Sequence, residues 1–198
     1  MKLYTGSQLP TRRMILVVVH EAGLGGRLEV VEQAREDPAD KLASEHPDGQ
    51  PPVLLCDDGS RLSGAAAISE YLDGLHERPK LMPDKGEARL ELLQLESSAY
   101  ELLDTGFALS GELRRPASAR WSETAERQWA RLEHVLDELE RLTNSVLVGP
   151  VTLGHIALAC ALDWIDSRLP KDWRCGHKAL AAWLDRFRQR PSMRATAI

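Results

Sequence analysis

GQPPVLLCDDGSRLSGAAAISEYLDGL, residues 49–75, reads as an extended entry, a β-hairpin and a helix in direct succession. Pro51-Pro52 leads into the apolar run Val53 to Cys56, long enough for one short strand. Asp57-Asp58-Gly59 follows, and Asp-Gly between apolar runs is a strong hairpin signal. Ser60 to Leu62 is the returning strand, and Gly64 to Leu75 is an alanine-rich helix. A proline directly ahead of a strand often carries a cis bond that shapes a functional turn.

Toward the N-terminus the pattern alternates strand and helix. Lys2 to Thr5 is a short strand, and Pro10 stands where a helix begins, since proline suits the first helical position. That helix runs to about Gly23. Its Met14 to Val19 run is rich in β-branched residues, so periodicity alone leaves helix and strand both open. Arg27 to Glu32 is the next strand and Asp37 to Glu45 a polar, weak helix. Toward the C-terminus, His76 to Lys85 holds Pro79 and Pro83 and reads as a linker. Beyond it no strand pattern appears, and all five tryptophans follow residue 120. Apolar residues at helical spacing predict helices over Gly86 to Leu113, Ser122 to Leu142, Thr152 to Leu169 and Lys178 to Gln189, the last ending near Pro191. Ser122 precedes Ala125 by three, which is half a capping box.

The bulk numbers exclude several classes. The chain has 198 residues, 43% of them hydrophobic, enough for one large domain or two small ones. A net charge of -5 gives no general reason to bind nucleic acid or an anionic membrane. Arg186, Arg188, Arg190 and Arg194 read as a solvated helix end, where the dipole favours cations. Cys56, Cys160 and Cys175 are too widely spaced for a zinc knuckle or a disulfide framework, and Cys56 reads as a buried, inert thiol. His20 and His155 read as structural. No His-Glu-x-x-His, Walker or Rossmann pattern is present. Arg12-Arg13 before Met14 to Val19 resembles a twin-arginine signal, but the apolar run is short and no small-residue cleavage site follows, so it reads as a buried element of the fold. No segment reaches the length of a membrane span.

Three pieces in order resemble the glutathione S-transferase superfamily, in its bacterial form. They are MKLYTGSQLPTRRMILVVVHEAGL at the start, Ala67-Ile68 followed by Tyr71-Leu72 in the middle, and DWRCGHKALAAWLDRFRQRPSMRAT at the end. The resemblance spans essentially the whole chain. It implies an α/β thioredoxin-like N-terminal domain over 1–76, a linker over 77–84 and an all-α C-terminal domain over 85–198. It resolves Met14 to Val19 as helix. It further implies a cytoplasmic homodimer that uses glutathione as co-substrate, without metal, to transfer a thiol to an electrophile.

The residues at the implied site depart from the family. The Ser or Cys that serves the glutathione sulfur corresponds to Leu9, which can neither donate a hydrogen bond nor form a disulfide. The residue before the family's cis-proline, here Pro52, is Pro51, which lacks an N–H. The acidic residue and serine that hold the γ-glutamyl end correspond to Gly64-Ala65. The helix N-terminus there could still attract a carboxylate, while Ser63 could cap it. Ser7, flanked by Thr5 and Thr11, is the candidate displaced thiolate donor. Arg12 and Arg13 open the first helix and are expected to face solvent. Tyr100, Asp104, Glu112 and Arg115 are candidates for the second-substrate pocket, although Glu112 and Arg115 could equally brace a helix end. The family's S/T-x-x-D staple reads Thr152-Leu153-Gly154-His155, which predicts a softer helix start. Two functions follow: a transferase with a weakened glutathione site, or a non-catalytic binding or regulatory module on the same fold.

Overall fold

In the computed structural model, which describes residues 1–6, 9–32 and 52–197, the strand residues Leu3, Val53 and Leu54 are almost closed to solvent, and the neighbours Val53 and Leu54 are buried on opposite faces of the sheet. Strands β1 (Lys2–Thr5), β2 (Glu29–Glu32), β3 (Val53–Leu55) and β4 (Arg61–Ser63) form one sheet in the order β2-β1-β3-β4. β1 and β2 are parallel, with Leu3 opposite Val30. β1 and β3 are antiparallel, with Leu3 opposite Leu54, and β3 and β4 continue the antiparallel part. The hairpin closes at Asp57-Asp58-Gly59: Cys56 N–H donates to Ser60 C=O at 2.9 Å, and Asp58 accepts from Ser60 N–H and Oγ.

Helix α1 (Pro10–Ala22) contains the Met14 to Val19 run. It is helical because it is buried on several sides, packing against both α2 (Ala65–Gly74) and the short C-terminal helix α7 (Pro191–Ala195). Gly23 ends α1 in the left-handed region at φ 71°. A side chain there would also collide with the Arg78 guanidinium, which donates to Glu21 C=O. A 3₁₀ turn over Gly25–Arg27 delays the start of β2 to Glu29. The weak helix expected over Asp37 to Glu45 lies outside the described residues, as do Ser7 and Pro51.

The remaining helices are α3 (Glu87–Arg114), α4 (Ser122–Val146), α5 (Leu153–Arg168) and α6 (Lys178–Phe187). α5 is apolar on nearly every side and buried from Leu153 to Leu162. Gly154 lets α5 approach α3: an added Cβ would stand 2.7 Å from Leu92 C=O. α6 is tied to α4 by Glu140, whose carboxylate accepts the N–H groups of Ala179 and Leu180 at 2.9 and 2.8 Å. The helix over Ser122 starts with Trp121 at the N-cap and no side-chain cap, so the half capping box does not form.

Contacts divide the chain into two units, Met1–Pro83 with Pro191–Ile198, and Asp84–Arg190. The sequence reading had grouped the last segment with the helices. It joins the first unit because Ser192 Oγ donates to Glu21 at 2.5 Å and Met193 C=O accepts from Arg13. The run expected to be a linker is pinned to the end of α2. Asp73 is buried and accepts from Leu81 N–H at 2.9 Å and Met82 N–H at 3.1 Å, with His76 Nε2 at 3.0 Å. Lys80 donates to the Asp73 and His76 carbonyls. Among the described residues no helix is long and apolar enough to cross a membrane.

Candidate functional site

The β1–α1 loop sets the position of Leu9. Pro10 fixes the first helical residue, so Leu9 becomes the N-cap in extended conformation, with no side-chain cap. Its C=O accepts from Arg12 N–H at 3.1 Å. The side chain is half-buried against Gly6, where an added Cβ would stand 3.4 Å from Leu9 Cδ1. This position therefore presents hydrocarbon and no donor.

The second part of the site lies where β3, β4 and α2 meet. Pro52 is buried at the entry to β3. Its C=O accepts from Gly64 N–H at 3.3 Å. That bond removes Gly64 N–H from the groups expected to face a ligand. Ser63 lies in β4 and does not cap α2; the N-cap is Gly64, at φ 84°, without a side-chain bond and with no acid in the first turn. The first-turn N–H groups of α2, on Ala65, Ala66 and Ala67, have no carbonyl inside the helix. An uncapped helix start of this kind carries partial positive charge aimed outward. Neither Ala66 nor Ala67 reads as a site residue from the sequence, where Ala67 enters only as part of the Ala67-Ile68 motif. The available signal was the lack of any capping side chain at positions 64 to 67.

Neighbouring groups have other duties. Arg12 is ion-paired to Glu32 at 2.8 Å, and Arg13 donates to Met193 C=O at 3.2 Å. Both arginines are half-buried, not the solvent-facing residues expected. Cys56 is buried, as expected. Tyr71 hydrogen-bonds to it, and that bond, with burial and the nearby Asp58 and Asp57, pushes the Tyr71 hydroxyl pKa up.

In the helical unit, Tyr100 and Asp104 stand one turn apart on α3, Tyr100 half-buried and Asp104 exposed. Arg115 is the C-cap of α3 and meets Glu112 at 3.5 Å. Glu112 also accepts the N–H of Trp121 at 2.6 Å, so this pair braces the α3–α4 connection. The staple at α5 is complete. Thr152 Oγ1 accepts from His155 N–H at 3.4 Å, and Thr152 N–H donates to His155 Nδ1 at 3.2 Å. The softer start expected for α5 is thus corrected, since an imidazole nitrogen accepts as a carboxylate would. Burial lowers the His155 pKa, with the Arg190 charge adding to it against a hydrogen bond to Val146.

Within the arginine cluster near the C-terminus, Arg186 and Arg194 are exposed as expected, whereas Arg188 is half-buried and ion-paired. Arg188 pairs with Asp163 and with Asp166, and Arg174 bonds Asp166 and Asp185. Burial pulls the Asp166 pKa up, but the bonds from Arg174 and Arg188 outweigh it and hold the carboxyl below its usual value. Among the described residues no group of three or more His, Cys, Asp or Glu could hold a metal.

Two family models match the chain: Glutathione S-transferase, N-terminal domain, over residues 10–75, and Glutathione S-transferase, C-terminal domain, over residues 122–186. A glutathione transferase family member from Pseudomonas fluorescens Pf-5, crystallised with bound glutathione, is 32% identical over 98% of this chain and 97% of its own, with a TM-score of 0.89. A glutathione S-transferase from Methylobacillus flagellatus KT, with glutathione bound, is 27% identical over 99% and 98% of the two chains, with a TM-score of 0.90. The uncharacterised GST-like protein YibF of Escherichia coli K12 is 25% identical over 85% of this chain and 83% of its own.

Proposed function

This chain belongs to the glutathione S-transferase superfamily, and from that premise we propose that it binds glutathione weakly, through main-chain groups, with no thiol donor at Leu9. The observation that carries this reading is the uncapped start of α2, whose N–H groups on Ala65 to Ala67 suit a carboxylate of the tripeptide. The glutathione held by the Pseudomonas fluorescens relative supports the ligand class. Pro51 would contribute its C=O alone, since it has no N–H. Pro52 shapes the strand entry beside it.

Leu9 supplies no donor for a thiolate, and the thiolate is the reactive form. Each missing hydrogen bond to a charged group costs about 1.5–3 kcal/mol. Losing two such bonds moves a micromolar ligand to about millimolar affinity. Ser7 is proposed to take over thiol donation, and within the helical unit Tyr100, Asp104 and Arg115 are proposed as second-substrate residues. The alternative role, a binding or regulatory module without catalysis, is favoured by the apolar Leu9 at the donor position.

Calorimetric titration of glutathione tests the reading. A Kd of about 1 mM, abolished by Ala66→Pro, is the expected result, because proline removes one of the N–H groups. The absence of heat and of any thermal shift at high millimolar glutathione would exclude it in favour of the non-catalytic module. A homodimer is also proposed, supported by the exposed Leu90 and Leu93 on one face of α3. Leu90→Glu is expected to yield monomers by light scattering, and an unchanged mass would reject that interface.

A further inference from the structure

One edge of the sheet gathers both parts of the candidate site. β1 and β2 are parallel, so Thr5 and Glu32 end side by side. β3 runs against β1, and β4 against β3, so Val53 and Ser63 lie at that same edge. Pro52 and Gly64 stand just beyond them, bonded to each other. From β2 to β4 the edge crosses three strand spacings, about 14 Å in all.

Both ends of this row attract anions. At the β4 end is the uncapped start of α2, with no acid in its first turn. At the β2 end is Arg12, from the first turn of α1. Leu9, between them, is uncharged.

Arg12 already meets a carboxylate there. Its Nη2 donates to Glu32 Oε1 at 2.8 Å, and the side chains of Arg12 and Glu32 are 24% and 55% exposed. An ion pair this open to water is weak, because solvent competes for both charges and two long side chains must be held in one geometry. Nothing in the strand ladder needs the Glu32 carboxylate, since Glu32 pairs with Thr5 through the main chain. A planar guanidinium takes any carboxylate in the same way, so a ligand carboxylate can replace it.

We propose that Glu32 is a built-in competitor at the glutathione site: its carboxylate occupies Arg12, and the glycine carboxylate of glutathione binds by displacing it. This rests on the main-chain binding of glutathione proposed for this chain, with the γ-glutamyl carboxylate at the start of α2. The glycine carboxylate then falls toward β2. An extended tripeptide of about 10 Å, with a hydrogen bond of about 3 Å at either end, spans the row. The Arg12–Glu32 pair thereby sets both affinity and ligand choice. Glutathione with a free glycine carboxylate exchanges with Glu32, and glutathione esterified there does not.

The test is calorimetric titration of glutathione and of its glycine ethyl ester into the wild-type chain and three variants. Glu32→Gln removes the competing charge and is expected to tighten glutathione by about threefold, leaving the ester unchanged. Arg12→Gln is expected to weaken glutathione by about threefold, again without effect on the ester. Glu29→Gln removes the same charge from the other end of β2 and is expected to change neither Kd. Where Arg12→Gln lowers the thermal transition, Glu32→Gln, at an exposed position, decides alone. An unchanged glutathione Kd in Glu32→Gln, a gain shared by the ester, or the same gain in Glu29→Gln each overturns the proposal. Glutathione binding that Ala66→Pro abolishes but Glu32→Gln leaves alone keeps the main-chain reading and rejects only the competitor. No binding of glutathione by any of the four proteins overturns both.

Discussion

His155 stands where a carboxylate ordinarily closes a capping box, and its Nδ1 lone pair does the same work only while the ring is neutral. Residue type alone marks this position as a loss, because the geometry that lets an N3 imidazole accept the N-cap N–H is not written in it. Burial keeps its folded pKa below that of the unfolded chain. The native state therefore gains its full benefit above about pH 6.5, the unfolded value. That benefit falls as pH drops from there toward the lower folded pKa. The destabilisation caused by His155→Asn, measured in urea, should be larger at pH 7.5 than at pH 5.5. Leu9 offers a gain where His155 shows a loss. Serine is favoured at an N-cap by about 0.5–2 kcal/mol over residues without a cap, and it would restore a donor toward a thiol. Leu9→Ser is expected to raise glutathione-dependent turnover of an aryl halide at least tenfold, read by absorbance, with α1 no less stable.

Among elements, the strands, the hairpin and helices α1 to α6 were legible because each has a local cause: Asp-Gly at the turn, Pro10 at a helix start, a 3.6-residue spacing in α3 to α6. Helix α7 was not, since Pro191 reads as an end. The behaviour of residues 77–83 was not. Pro79 and Pro83 mark a break in regular structure, and a break reads as a loose connection. What holds it is one side chain, Asp73, reaching main-chain N–H groups eight and nine residues ahead. A side chain bonded to distant backbone leaves no periodic trace in sequence. Asp73→Ala would strand those buried N–H groups and His76, at a cost of about 3 kcal/mol. The expected signature is faster amide exchange at Leu81 and Met82, with α3 to α6 unaffected. Main-chain contacts were hidden for the same reason at the candidate site: that Gly64 N–H bonds Pro52 C=O follows from strand geometry, not from the identity of either residue.

For the whole molecule, the two-part division into a sheet-bearing unit and a helical unit was readable from where the strand pattern stops. The return of α7 to the first unit was not, because Ser192, Met193 and Thr196 have no pattern that names α1 as their partner. Met193 is 1% exposed, and burying a methionine is worth about 1.5–3 kcal/mol. Ending the chain at Arg190 should therefore lower the stability of the first unit by about 3 kcal/mol, seen as an earlier denaturation phase that leaves the helical unit's phase in place. The order of synthesis acquires a meaning from this arrangement. Residues 84–190 leave the ribosome between the two pieces of the first unit. At ~5–20 residues per second, the nascent sheet waits on the order of ten seconds for the helix that completes it. During that interval the side of α1 that α7 covers is open to solvent, and the growing chain exposes apolar surface that the finished protein does not.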